Sequence, residues 1–512
     1  MRKILAILCL VLFLANAISV TATSFNMEKV GVEPLEQLDD YDPLLDLEVT
    51  LKIKAIRALD TIDAYSDPDF FIKATINEEE FTSPTWKDAE YLYNCWNVTK
   101  NVPDDNDLVE ITIQLWDEDK DQNEICDITK KYNNEEEDNF LNIVYDVKTG
   151  LWSGDDNNIG DTNGYGRGNG CSDGSIYTDE NDCEIYFEII QNDYDNDGLP
   201  YWVETYVYHT DPEIDDTGDD TDVDGIPIEW EHKWGYNPFI FNDHEEIDID
   251  EDSINNTEEY LTENYGSDPY CKDLFLEIDF MEYKPNGEQL KPSEIGREMM
   301  KNPFHKRDII YHIDMEIYGG EIVPYKEQVE FDEIRQIWRD YFMHNDDNNW
   351  RRGVFHYCIF VYHTEPNGFA FSGDISPYWG YNPGTNAFVI SFTTMQNKDE
   401  IFEGTIDFIF ATGTMHEMGH NMGIRWGNPH GCDKRSTIYP WQIGWWIYRN
   451  YKSTMNYRYT YRILDYSDGS HGIRDSNDWA NIDLSYFEKP EGKSLKTNML
   501  HRLENLFSKF GL

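Results

Sequence analysis

Between Leu47 and Ile53 apolar and polar residues alternate without a break: Leu47, Val49, Leu51 and Ile53 against Glu48, Thr50 and Lys52. A period of two sends successive side chains to opposite faces, so this run predicts a half-buried strand. Ile111, Ile113 and Leu115 repeat the pattern, as does the stretch from Cys183 to Ile189. Strands separated by acidic loops, with no long helical period among them, predict an all-β sandwich over residues 45–190. Its Gly-, Asn- and Asp-rich residues 153–182 read as an insertion before the last strand. Beyond Cys271 the pattern mixes. Leu274–Phe280 and Val354–Val361 predict strands, whereas the apolar spacing over 292–300 and 331–343 predicts helices. An α/β domain over residues 271–490 follows. A helical apolar stripe (Leu495, Met499, Leu503, Leu506, Phe510) predicts a docking helix over 491–512. A chain of 512 residues accommodates this multidomain plan.

The first residues set the compartment. Arg2 and Lys3 precede an apolar run from Ile4 to Leu14, and Ala15-Asn16-Ala17 offers a small-residue cleavage site. Residues 1–22 are therefore expected to be a secretory signal peptide, with a soluble, secreted mature protein. In that oxidising setting the seven later cysteines predict disulfides. Cys95–Cys126 and Cys171–Cys183 are the expected pairs, because each lies within one apparent domain. The chain carries 100 acidic and 41 basic residues, a formal charge of −59. Such a field repels phosphate, which excludes nucleic acid as a partner and disfavours anionic membranes. The carboxylates recur at ordered spacings, so bound divalent cations are expected to neutralise part of the charge.

Three segments share one spacing. Asp193, Asp195, Asp197 and Gly198 are followed by Glu204 at loop position twelve; Asp220, Asp222, Asp224 and Gly225 by Glu231; Asp248, Asp250, Asp252 and Ser253 by Glu259. Positions one, three and five supply oxygens, glycine at six permits the sharp turn, and the late glutamate closes the shell bidentately. Each unit ends on Asp211-Pro212, Asn237-Pro238 or Asp268-Pro269. Residues 191–270 thus resemble thrombospondin type 3 and related EF-hand-like calcium repeats of extracellular proteins. Ser253 in place of glycine sets the third loop apart.

Two acidic loops interrupt the sandwich. One carries Asp63, Ser66, Asp67 and Pro68; the other carries Trp116, Asp117 and Asp119. Here the chain resembles the C2-type calcium-binding sandwiches. The resemblance implies Asp63, Asp67, Asp117 and Asp119 as calcium ligands, with Glu124 standing where that family usually has aspartate.

An apolar helical run from Ile406 leads into His416-Glu417-Met418-Gly419-His420. On a helix, His416 and His420 stand one turn apart and present imidazoles from one face, as a tetrahedral zinc requires. Glu417 is the natural general base. Gly423 extends the motif, and Ser453-Thr454-Met455-Asn456-Tyr457 follows further on. These residues resemble the metzincin clan, and the whole arrangement resembles secreted prokaryotic, archaeal-type multidomain zinc metallopeptidases. The resemblance implies Met455 as a floor beneath the zinc and Tyr457 as an oxyanion donor. The chain departs from the clan at the third ligand: its usual position holds Trp426, which cannot bind zinc. His430 and Asp433 lie just beyond, and the sequence leaves both open as the ligand. The functional expectation is a calcium-stabilised zinc metalloendopeptidase acting on extracellular proteins or peptides. The competing expectation is a calcium-binding surface or matrix interaction protein with an inactive peptidase domain.

Overall fold

The computed structural model describes residues 47–486 apart from 104–105, 121, 132–138, 157–163, 179, 283–290, 347, 366–367, 372–385, 397–404 and 426. The expected signal peptide (1–22), the expected docking helix (491–512) and Trp426 lie outside the described residues.

The alternating run forms β1 (Leu47–Ala58), burying Leu47, Val49, Leu51 and Ile53. A bulge between Ile53 and Ala55 resets the alternation, so that Ile56 continues the buried face. β1 lies between β4 (Tyr91–Val102) and β10 (Cys183–Gln191), with β9 (Gly166–Asn169) at the edge. The facing sheet runs β3 (Glu79–Thr82), β2 (Phe70–Ile76), β5 (Leu108–Asp117), β7 (Leu141–Asp146) and β8 (Leu151–Gly154). A short β6 (Glu124–Ile125) pairs with β5. All these pairings are antiparallel. Inward residues of both sheets, among them Leu51, Ile72, Ile113 and Phe187, form one core. The N-terminal unit is thus the expected β-sandwich.

The disulfide expectation is overturned. All seven described cysteines are free. Cys126 instead meets Cys183 inside the core, Cys171 donates to Asp182 Oδ2 at 3.2 Å, and Cys95 lies on the backbone of Ile53. Nearness in sequence does not set the neighbours here: Cys126 bonds β5 through its backbone, so the thiol that Cys183 of β10 meets comes from the facing sheet.

Residues 191–270 form three loop-and-helix units, with Ile226, Trp230 and Trp234 as a small core of their own. The C-terminal unit is built on β12 (Ile309–Asp314), β11 (Lys272–Met281), β14 (Phe355–Val361), β16 (Ala387–Ser391) and β15 (Gly368–Phe371), in that spatial order. A short β13 (Ile322–Val323) also pairs with β11. Pairings are parallel except that β15 runs antiparallel to β16. Every residue of β14 is buried, as expected of a parallel strand covered on both faces. Helices α1 (Glu294–His305) and α3 (Ile406–Asn421) pack on one face. The other face is covered by α2 (Phe331–Ile337) and the wider turn Trp338–Phe342 that continues it.

Buried ion pairs tie the sandwich to this unit. Arg57 of β1 pairs with Glu298 and donates to Asn302 Oδ1 at 2.9 Å. Arg167 of β9 donates to Glu184 at 2.8 Å and to Asp308 at 2.7 Å, and His305 meets the other oxygen of Glu184 at 2.6 Å. Burial alone would raise the Glu298 carboxyl, but Lys301 and Arg57 hold it down at about 2. Its ordinary value is 4.5, so its stabilisation is fully present above that pH and is lost as the pH falls towards 2. At neutral pH it is on the order of 3 kcal/mol. Glu298→Gln is expected to lower the calorimetric melting temperature at pH 7 and to shrink the fall between pH 7 and pH 3.

Candidate metal centres

Helix α3 starts where the Thr405 side chain accepts from Phe408 N, and it is buried from Ile409 to Asn421. It stops at Gly423, whose φ of +96° lets the chain turn back so that Ile424 N bonds Gly419 O at 2.9 Å. Gly419 is required by packing: a Cβ there would stand 2.6 Å from Met455 Sδ. Met455 is fully buried beneath the helix, and its carbonyl accepts from Asp433 N at 3.1 Å.

The turn after Gly423 places the two open ligand positions differently. His430 begins β17 (His430–Asp433) with its side chain exposed, whereas Asp433 turns inward with a left-handed φ of 52°. Asp433 Oδ1 lies 3.0 Å from His416 Nε2, and its Oδ2 lies 3.1 Å from His420 Nε2. One donor atom from each of the three residues falls within 4.8 Å of the others. A tetrahedral shell of roughly 2.1 Å radius separates its ligand atoms by about 3.4 Å, so the set fits zinc.

Backbone carbonyls fix both imidazoles. His416 Nδ1 lies 2.8 Å from Thr454 O, and His420 Nδ1 lies 2.6 Å from Ile424 O. A carbonyl only accepts, so each Nδ1 carries a proton and each Nε2 lone pair is left for the shared point. Without a cation, burial works against charge on His420, yet Asp433 outweighs it and lifts the imidazole to about 9. Asp433 is held far below the usual carboxylate range, since the two histidines overcome its burial. The three side chains therefore sit in the charge pattern that a divalent cation would inherit.

Glu417 is buried next to this cluster, its carboxyl raised by burial although His416 and His420 oppose the shift. Ala370 N of β15 bonds it, and Gly368 leaves it space: a Cβ there would lie 3.2 Å from Glu417 Oε1. The Tyr457 ring stacks on His416 at 5.7 Å, and its hydroxyl bonds Asp433. Burial and then Asp433 raise the phenol well above its ordinary value, so it stays protonated.

The three repeat loops are near copies. At position one, Asp193, Asp220 and Asp248 accept on Oδ2 from the backbone of Gly198, Gly225 and Ser253 at 3.0 Å each. Ser253 adopts a φ of +80°, the turn that glycine makes in the other two loops. At position five, Asp197, Asp224 and Asp252 accept from the backbone of Asp216, Asn242 and Asp273. Each loop is thereby tied to the segment after it. Glu204, Glu231 and Glu259 are buried at position twelve. Buried oxygens of Asp195, Glu204, Asp222, Glu231, Asp250 and Glu259 lack any hydrogen-bond partner. Burial and neighbouring carboxylates push Glu204 up to about 8 and Asp250 up to about 9. Orphaned, converging carboxylate oxygens are costly unless a cation takes them, so the donor set fits calcium.

In the sandwich, Asp63, Asp117 and Asp119 also come within 4.8 Å of one another. Asp117 Oδ1 is held by Asp69 N at 2.6 Å. Asp67 stands exposed, and Glu124 is exposed and bonded by Asn181.

No family model matches this chain, and no curated protein matches it. Solved structures resemble part of it. Human GIVD cytosolic phospholipase A2 matches at 13% identity and TM-score 0.18, over 28% of this chain and 17% of that one. A C2 domain matches at 12% identity and TM-score 0.18, over 28% of this chain and 98% of that one. Another C2 domain, from plant Extended Synaptotagmin 1, matches at 11% identity and TM-score 0.19, over 28% and 93%. The neighbours thus include C2 domains.

Proposed function

We propose that this chain is a secreted zinc metalloendopeptidase, stabilised by calcium, that hydrolyses peptide bonds of extracellular proteins or peptides. The observation that carries the reading is the convergence of His416 Nε2, His420 Nε2 and Asp433, with Glu417 buried alongside. The clan likeness of the C-terminal unit and the C2-type likeness of the sandwich belong to this proposal.

Zinc, when bound, supplies Lewis acidity towards a water and the scissile carbonyl. His416, His420 and Asp433 hold it, and the carbonyls of Thr454 and Ile424 keep both rings in the ligating tautomer. Glu417 takes the water's proton and passes it to the leaving amine. Tyr457, protonated at neutral pH, donates to the developing oxyanion. β15 is the edge strand of its sheet among the described residues, so an extended peptide can pair with it beside Glu417. Asp433 supports the active reading over the inactive one, because its carboxylate offers an oxygen donor where the third histidine is missing.

Calcium in the three repeat loops, and in the Asp63–Asp117–Asp119 group, offsets carboxylate repulsion and stabilises the folded chain by mass action. Removing calcium with a chelator that spares zinc is expected to lower the melting temperature by several degrees. Limited proteolysis is expected to nick residues 190–270 first. A melting curve unchanged across a wide calcium titration would reduce the repeats to a solvated linker.

A further inference from the structure

One side chain beside the middle loop has no counterpart at the other two. In each loop the position-five aspartate accepts from a backbone amide of the following segment, namely Asp216, Asn242 and Asp273. Two residues past those amides stand Gly218, His244 and Phe275. Only the middle loop therefore has a nitrogen donor at this point. His244 is buried, and its Nε2 lies 3.2 Å from Asp224 Oδ2 and 3.7 Å from Glu231 Oε1. Donor atoms of Asp224, Glu231 and His244 lie within 4.8 Å of one another. His244 Nε2, both oxygens of Glu231 and both oxygens of Asp222 lack a hydrogen-bond partner. The ring is held edge-on by Trp230 at 5.8 Å and Tyr236 at 4.9 Å, which points Nε2 into the loop.

We infer that the loop from Asp220 to Glu231 is a mixed nitrogen–oxygen site for a first-row divalent cation such as zinc, with His244 as its imidazole ligand. The inference rests on the calcium reading of the repeats and departs from it in the middle loop alone, where such a cation takes the place of calcium. Calcium takes an all-oxygen shell, whereas imidazole favours the borderline transition cations. Loops one and three, which lack this nitrogen, keep calcium. Asn256 controls the tautomer: its side-chain amide lies 3.0 Å from His244 Nδ1. Its Nδ2 faces the ring, and a half-turn of the amide presents Oδ1 instead, which places the proton on Nδ1 and frees Nε2 for the cation.

The test uses the full chain, stripped of metal and dialysed against zinc in the presence of millimolar calcium, with both metals counted by mass spectrometry. To the calcium of the sandwich loops, wild type is expected to add two zinc ions, one catalytic and one at His244, and calcium in two repeat loops. Asp433→Ala, without a functional catalytic site, is expected to retain the second zinc. His244→Gln is expected to lose that zinc and to gain one calcium. Asn256→Asp, whose carboxylate fixes the proton on Nδ1, is expected to tighten the second zinc about 10-fold. An unchanged second zinc in His244→Gln overturns the inference, as does calcium in all three repeat loops of wild type. Should His244→Gln fail to fold, unchanged or weaker zinc binding in Asn256→Asp overturns it. Absence of calcium from loops one and three, with zinc still bound at His244, would instead sink the calcium reading of the repeats.

Discussion

Glu417→Gln is expected to fold and to bind zinc as wild type does, and to lose peptide cleavage by about 10²-fold or more. The amide keeps the shape of the side chain and still accepts from Ala370 N, so the contact with β15 survives. What it loses is the capacity to take a proton from water and return it to the amine. Glu417 binds no metal in this account, so zinc content and melting temperature should move little while turnover collapses. That separation distinguishes a proton-transfer group from a residue that only supports the helix. Equal loss of zinc and activity would make Glu417 structural.

Asp433→Ala should produce the other pattern. With only His416 and His420 remaining, the cation has two ligands where a catalytic zinc needs three, so metal affinity and cleavage should fall together. The substitution also leaves both Nε2 atoms without the carboxylate they now share at 3.0 and 3.1 Å. His430→Ala removes an exposed side chain, and zinc affinity and cleavage should stay within about 2-fold of wild type, as for other surface substitutions. Zinc titration and a generic cleavage assay on both variants check the assignment. Loss of zinc in His430→Ala with retention in Asp433→Ala would reverse it.

Much of this arrangement could be read along the chain, wherever one local period controlled it. The alternation from Leu47 marked β1 because a half-buried strand imposes it, and the twelve-residue spacing marked the repeat loops because loop geometry imposes that. The helix under His416 and His420 was likewise legible from its own residues. The different placement of His430 and Asp433 was not, because it depends on a turn. Gly431 at φ +116° and Asp433 at φ 52° swing the aspartate inward and leave the histidine outside. The bulge after Ile53 and the Cys126–Cys183 contact were hidden for a related reason, since both depend on how separate strands meet. The carbonyls that orient the two histidines carry no side-chain signature. The approach of His244 to the middle loop is equally illegible, because nothing in its own neighbourhood of sequence points there.

The most direct test follows cleavage of a varied peptide library while metal-free, calcium-loaded protein is titrated with zinc, for wild type and Glu417→Gln in parallel. Wild-type activity is expected to rise with zinc and to saturate once the His416–His420–Asp433 site is filled, while Glu417→Gln binds the same zinc and stays nearly inactive. Wild type that fills that site yet cleaves nothing, and cannot be told from Glu417→Gln, would contradict this expectation.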